Sequence, residues 1–147
     1  MSLSLNAQSD GLKYAVANGD TLVFAKLIVG SFHIRGNLNS GEKVKIPLRD
    51  VDSYSTNGRI MKRLPVYINN QRTSRNGMME LVECTKGIRI YKYEYYKGYT
   101  CMDAIFSFYD RDKCIQTQTN PSIAQIYNYV DGLSMPKTKL LSSKQQN

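Results

Sequence analysis

The sequence predicts an all-β protein, mainly an antiparallel meander closed into a barrel or sandwich, with one short C-terminal α-helix. Three observations predict it. Turn dipeptides recur along the chain, at Asn18-Gly19, Asn57-Gly58, Lys86-Gly87 and Lys97-Gly98, and glycine there supplies positive φ without steric cost. The runs between them are rich in Val, Ile, Tyr and Phe and alternate in polarity, as half-buried strands do. One stretch only, after Asn120-Pro121, carries apolar residues at helical spacing.

The elements follow in order. Leu12 to Ala17 and Thr21 to Val29 flank Asn18-Gly19-Asp20 as a first hairpin. The second run, TLVFAKLIV, is apolar on both faces and predicts burial on both. Ser31 to Arg35 places Phe32 and Ile34 inward, His33 and Arg35 outward. Lys43 to Leu48 alternates most cleanly, with Val44, Ile46 and Leu48 inward and Lys43 and Lys45 outward. Pro47 cannot donate to a ladder, so this strand belongs at an edge or ends there. Val51 to Thr56 and Arg59 onward form a hairpin about Asn57-Gly58. Asn69 to Gly77, NNQRTSRNG, is polar throughout and reads as a loop.

From Met78 to Gln118 the turns at Lys86-Gly87, Lys97-Gly98 and Asp110-Arg111-Asp112 divide four extended segments. In Met102 to Phe108 the face bearing Met102, Ala104, Phe106 and Phe108 reads as core. In Ile88 to Tyr96 both faces have apolar content, and one presents Arg89, Tyr91, Tyr93 and Tyr95 in a row. Asn120 then caps a helix with Pro121 at its first position. Ile123, Ile126, Tyr127 and Val130 form its apolar face, and Gly132 its stop.

The 147 residues suit one domain with a core of its own. Residues 1–11 read as a disordered leader or the remnant of a signal peptide, 12–133 as a single β-rich domain, and 134–147 as a flexible basic tail. Ser2 to Gln8, SLSLNAQ, is similar to the cleavage end of a secretory signal, although the basic and long apolar parts of one are missing. No apolar run approaches the ~18 residues of a membrane helix. Cys84, Cys101 and Cys114 fit no zinc spacing and read as small buried residues.

The net charge is +8, and it is unevenly spread. Residues 43–97 carry twelve basic against five acidic groups. Between Arg59 and Met79 there are five basic residues and no acidic one. Such a surplus favours nucleic acid, acidic polysaccharide or an anionic membrane surface. The candidate ligand-binding residues are therefore Arg59, Lys62, Arg63, Arg72, Arg75 and Arg89, with Tyr91, Tyr93 and Tyr95 as stacking faces.

Catalytic signals are sparse. His33 is the sole histidine, so any Ser-His-Asp or Cys-His arrangement must use it. There is no phosphate-cradling glycine loop and no HExxH or CxxC motif. Asp50, Asp110 and Asp112 fall at turns, which accounts for them without chemistry. No cofactor or metal site is expected.

The run GEKVKIPLRDVDSYSTNGRIMKRLPVY, followed by MMELVECTKGIRIYKYEYY, resembles uncharacterised small exported β-rich proteins of Bacteroidetes. Ser53, Tyr54, Asn57, Gly58, Leu64, Pro65, Tyr67, Met79, Glu80 and Leu81 carry the resemblance. It implies a periplasmic or extracellular location and no particular activity. The order of strands followed by one helix is also similar to the pleckstrin-homology architecture. The expectation is a non-catalytic exported binding or protein-interaction module, whose partner is a protein or an anionic envelope polymer. The alternatives are a basic nucleic-acid-binding domain, which would also fit a cytoplasmic protein, and a hydrolase.

Overall fold

The computed structural model describes residues 11–133, so residues 1–10 of the leader and all of the tail lie outside the described residues. Ten strands form one antiparallel sheet. They are β1 (Tyr14–Ala17), β2 (Asp20–Val29), β3 (His33–Leu38), β4 (Lys43–Pro47), β5 (Val51–Thr56), β6 (Arg59–Ile68), β7 (Gln71–Thr85), β8 (Ile88–Lys97), β9 (Cys101–Asp110) and β10 (Lys113–Thr119). A helix, α1 (Ile123–Leu133), follows. The spatial order is β10-β9-β8-β7-β6-β5-β1-β2-β3-β4. Two meanders thus share a seam, the β1–β5 ladder.

The turns are where glycine and asparagine place them. Asn18, Asn57 and Lys86 have positive φ, each followed by a glycine that also does, as two-residue hairpin turns require. Asn69 and Asn70 do the same job with no glycine. The expected loop over Asn69 to Gly77 is therefore a turn plus the first half of β7. Gln71, Arg72, Ser74, Arg75 and Asn76 are all exposed. A hairpin arm with water on both sides needs no apolar alternation, which is why composition concealed it.

The expected antiparallel meander is present, but the sheet is not closed into a barrel. No ladder joins β4 to β5 or β10 to β6. The sheet nevertheless rolls, for a reason of chain length. β4 and β5 lie four strand spacings apart in the sheet, ~19 Å if it were flat. Only a 3₁₀ turn, Leu48–Asp50, separates them, and Pro47 to Val51 reaches at most ~14 Å. The first five strands must curl. They do so around Ala15, Ala17, Phe24, Leu27, Ile34 and Val51. Arg63 staples the corner, donating through Nε to Val51 O at 3.1 Å and through its terminal nitrogen to Leu48 O at 2.6 Å.

The second meander curls the other way. Met78 packs against the first core and Met79 belongs to a second, with Leu64, Val66, Tyr91 and Tyr109. Adjacent residues of a strand point to opposite faces, so the two cores lie on opposite sides of the sheet. A side-chain latch holds the second roll. Asn70 Oδ1 accepts from Thr117 N at 3.0 Å and from Thr117 Oγ1 at 2.7 Å. The tip of the β6–β7 hairpin thereby covers part of the β10 edge. Asn70→Ala strips buried Thr117 of both partners, and leaving such groups unsatisfied costs about 2 kcal/mol. We expect that loss in a urea-unfolding midpoint; an unchanged midpoint would mean the latch bears no load.

Helix α1 covers the opposite face of β8–β10, where Ile88, Ile90, Phe108 and Val130 form a third core. Both faces of β9 are thus buried at its centre. Of the expected core face of Met102 to Phe108 only Phe108 is fully buried and Met102 is exposed at the strand's start, while Ile105 and Ser107, on the other side, are fully buried. Asn120 is not the helix cap. It has left-handed φ, accepts from Ala104 N at 2.9 Å and donates to Asp103 Oδ1 at 2.9 Å. Ser122 caps instead, in a reciprocal pair with Gln125 at 3.1 and 2.8 Å. The buried face of α1 is Ile126, Tyr129 and Val130. Ile123 is 73% exposed, Tyr127 turns outward to donate to Glu83 at 3.1 Å, and Gly132 lies inside the helix.

Three smaller expectations also change. A bulge between Phe24 and Lys26 shifts the facing of β2, so Val23, Ala25 and Ile28 are exposed and the strand is buried on one face. Phe32 precedes β3 in a bend and is 79% exposed, not inward. All three cysteines are free thiols, with Cys101 exposed and the others half-buried. β4 is an edge strand, as Pro47 requires.

Candidate functional site

The residues singled out from the sequence do not converge. Arg59 is held by Glu80 in a two-pronged ion pair at 3.0 and 3.1 Å. Arg63 is the corner staple described above. Lys62 is half-buried, paired across strands with Ser53 and Met79. Arg89 donates to the Arg111 carbonyl in the β9–β10 turn. Arg72 and Arg75 are exposed on the outer arm of β7.

The tyrosine row is a wall of the second core. Tyr91 is 3% exposed and meets Tyr109 edge-on, with ring centres 5.6 Å apart. Burial pushes its phenol above the ordinary tyrosine range. Tyr93 lies over Gly77, where an added Cβ would meet its ring at 2.5 Å. Tyr95 stacks on Tyr93 at 6.2 Å and donates to Asp103 at 3.3 Å. Tyr91 therefore offers no face to a base, and Tyr93 is half-covered.

The outer face of β2–β4 is different. In β3 the inward residues are Ile34, Gly36 and Leu38, so His33, Arg35 and Asn37 point outward. Register then places Pro47, Lys45 and Lys43 of β4 beside them in that order. On the other side, Ile28 stands beside Arg35 and Lys26 beside Asn37. His33, Arg35, Lys26, Lys43 and Lys45 are all exposed. Among the described residues no carboxylate shares this face: Asp20 pairs with Ala17 at the start of β2, and Glu42 lies in the β3–β4 turn.

Arg35 and Lys45 are direct cross-strand partners. Like charges so placed are destabilising, by about 0.2–1 kcal/mol. Lysines on an edge strand have an ordinary explanation, since they deter strand addition. That accounts for Lys43 and Lys45. It does not account for Arg35 or Lys26, which lie on the inner strands β3 and β2.

At the end of this face lies a cleft of about 430 Å³, lined by Ser31, Phe32, His33, Pro47, Leu48, Arg49 and Arg63. A second, of about 520 Å³, is lined by residues that include Leu27, Ile28, Tyr54, Arg59 and Met61. Its one cation, Arg59, is the one paired with Glu80. His33 is exposed at the first cleft. Among the described residues no three His, Cys, Asp or Glu side chains gather to hold a metal ion, and no helix is long and apolar enough to cross a membrane.

The face is only partly legible in the sequence, where Lys26 lies in a run that reads as buried on both faces. His33, Arg35, Lys43 and Lys45 were all legible as outward. What aligns them is the β3–β4 register, and the bulge that turns Lys26 to the same side. Comparison with protein-family models, curated proteins and solved structures finds no match.

Proposed function

We propose that this protein is a non-catalytic binding module that engages an anionic ligand through the outer face of β2–β4. The observation that carries the reading is the Arg35–Lys45 pair, flanked by Lys26 and Lys43 with no carboxylate among them. An anion laid across the face relieves that repulsion, so the face binds what it lacks. The envelope setting we propose rests on the resemblance of the middle of the chain to exported proteins.

Salt elution from heparin-agarose tests it. Arg35→Glu/Lys45→Glu is compared with Arg72→Glu/Arg75→Glu, which changes net charge equally. The first is expected to elute near the salt of the loading buffer, the second close to wild type. Equal shifts in the two would show that net charge alone governs retention, and the assignment of the site would fail.

A further inference from the structure

Resting on that reading, we infer that the outer face of β2–β4 and the Phe32 tip together form a peripheral docking surface for an anionic lipid bilayer. Phe32 is 79% exposed, at the bend between β2 and β3. A phenyl ring makes no hydrogen bond, so water gains nothing from it, and a hydrophilic polyanion has no use for it. A bilayer does.

The tip is rigid. Gly30 N donates to His33 O at 2.8 Å, closing the bend. Leu48 N donates to Phe32 O at 2.8 Å, pinning it to the 3₁₀ turn. Leu48 O in turn accepts from Arg63. Ring insertion therefore orders no loop, which removes a cost that weakens most docking loops.

The charges are placed to act with the ring. Arg49 flanks it across the cleft of about 430 Å³, beside the level a headgroup phosphate would occupy. Arg35 and Lys45 lie two residues beyond the terminal His33–Pro47 pair, so Arg35 stands ~10 Å behind Phe32 along the strand. That is comparable to one Debye length, ~8 Å at physiological salt. Lys43 and Lys26 stand further back and add attraction before contact. Each basic residue near an anionic leaflet strengthens binding roughly fivefold, and one shallow apolar anchor strengthens it roughly tenfold. Neither suffices alone, as two-signal membrane anchoring generally requires.

The exposed Tyr96–Met102 pair is set differently, among charges of both signs. Tyr96 and Met102, partners at the β8–β9 end, stand beside Glu94 and Asp103 as well as Lys97.

Co-sedimentation of the full chain with vesicles tests the inference, using phosphatidylcholine alone and an equal mixture with phosphatidylglycerol. Wild type is expected on the mixed vesicles only. Phe32→Ser is expected to lose about tenfold in vesicle affinity, well beyond any loss on heparin. Its exposed position makes a folding defect an inadequate account. Arg35→Glu/Lys45→Glu should lose both. Retention on heparin without sedimentation on mixed vesicles, or Phe32→Ser matching wild type on them, overturns the bilayer and leaves the anion-binding face standing. Failure of wild type on heparin overturns both.

Discussion

Gly36→Ala is expected to destabilise the protein by about 3–4 kcal/mol, a large part of the 5–15 kcal/mol of a typical domain. Gly36 lies in β3 against the β2 bulge. A Cβ there would sit 2.0 Å from Lys26 O, 3.0 Å from Lys26 C and 3.0 Å from the Phe24 ring. The obstruction is backbone, and it cannot rotate aside. Relief requires parting β2 from β3, so overpacking of about 1–3 kcal/mol adds to lost ladder bonds of about 1 kcal/mol each. Gly77→Ala offers the contrast. Its nearest obstruction, also severe on paper, is the end of the half-buried Tyr93 side chain, which can swing. We expect about 1–2 kcal/mol there. Denaturant midpoints of the two variants check both values, and a Gly36 loss below that of Gly77 would mean that the bulge yields.

Phe108→Ala is expected to cost about 4 kcal/mol, within the usual range for a buried phenylalanine, and to release α1. Phe108 is fully buried. Its ring meets Tyr129 at 4.9 Å between centres, tilted 65°, and Val130 joins the same core. Ile126 adds to that core, whereas Ile123 is in water and the Tyr127–Glu83 and Lys86–Asp131 contacts are exposed and screened. Hydrogen exchange should show α1 losing protection while β6 and β7 keep theirs. A helix still protected in the variant would contradict the account of the third core.

The strand order along the chain was legible because positive φ is chemically selective. Asn18-Gly19, Asn57-Gly58 and Lys86-Gly87 name their own turns. Asn69-Asn70 did not stand out, because the polar arm beyond it hides a strand among loop-like residues. Lys43, Lys45 and Pro47 announced an edge strand correctly. The helix was legible, but its cap was not: Asn120 and Ser122 are both good caps, and only the competing bonds to Ala104 and Asp103 decide between them. The candidate site depended on pairing. Which outward charges meet is a property of register, and register at a bulge depends on tertiary fit at Gly36, which no local pattern encodes.

The seam between β1 and β5 has a consequence for how the chain assembles. Every other ladder joins strands consecutive in sequence, so each closes a short loop at low entropic cost. Tyr14 must find Ser55 only after β2, β3 and β4 intervene. The long-range part of the search is thereby concentrated in one backbone ladder, and it is the three-residue corner after β4 that brings the partner strand back within reach.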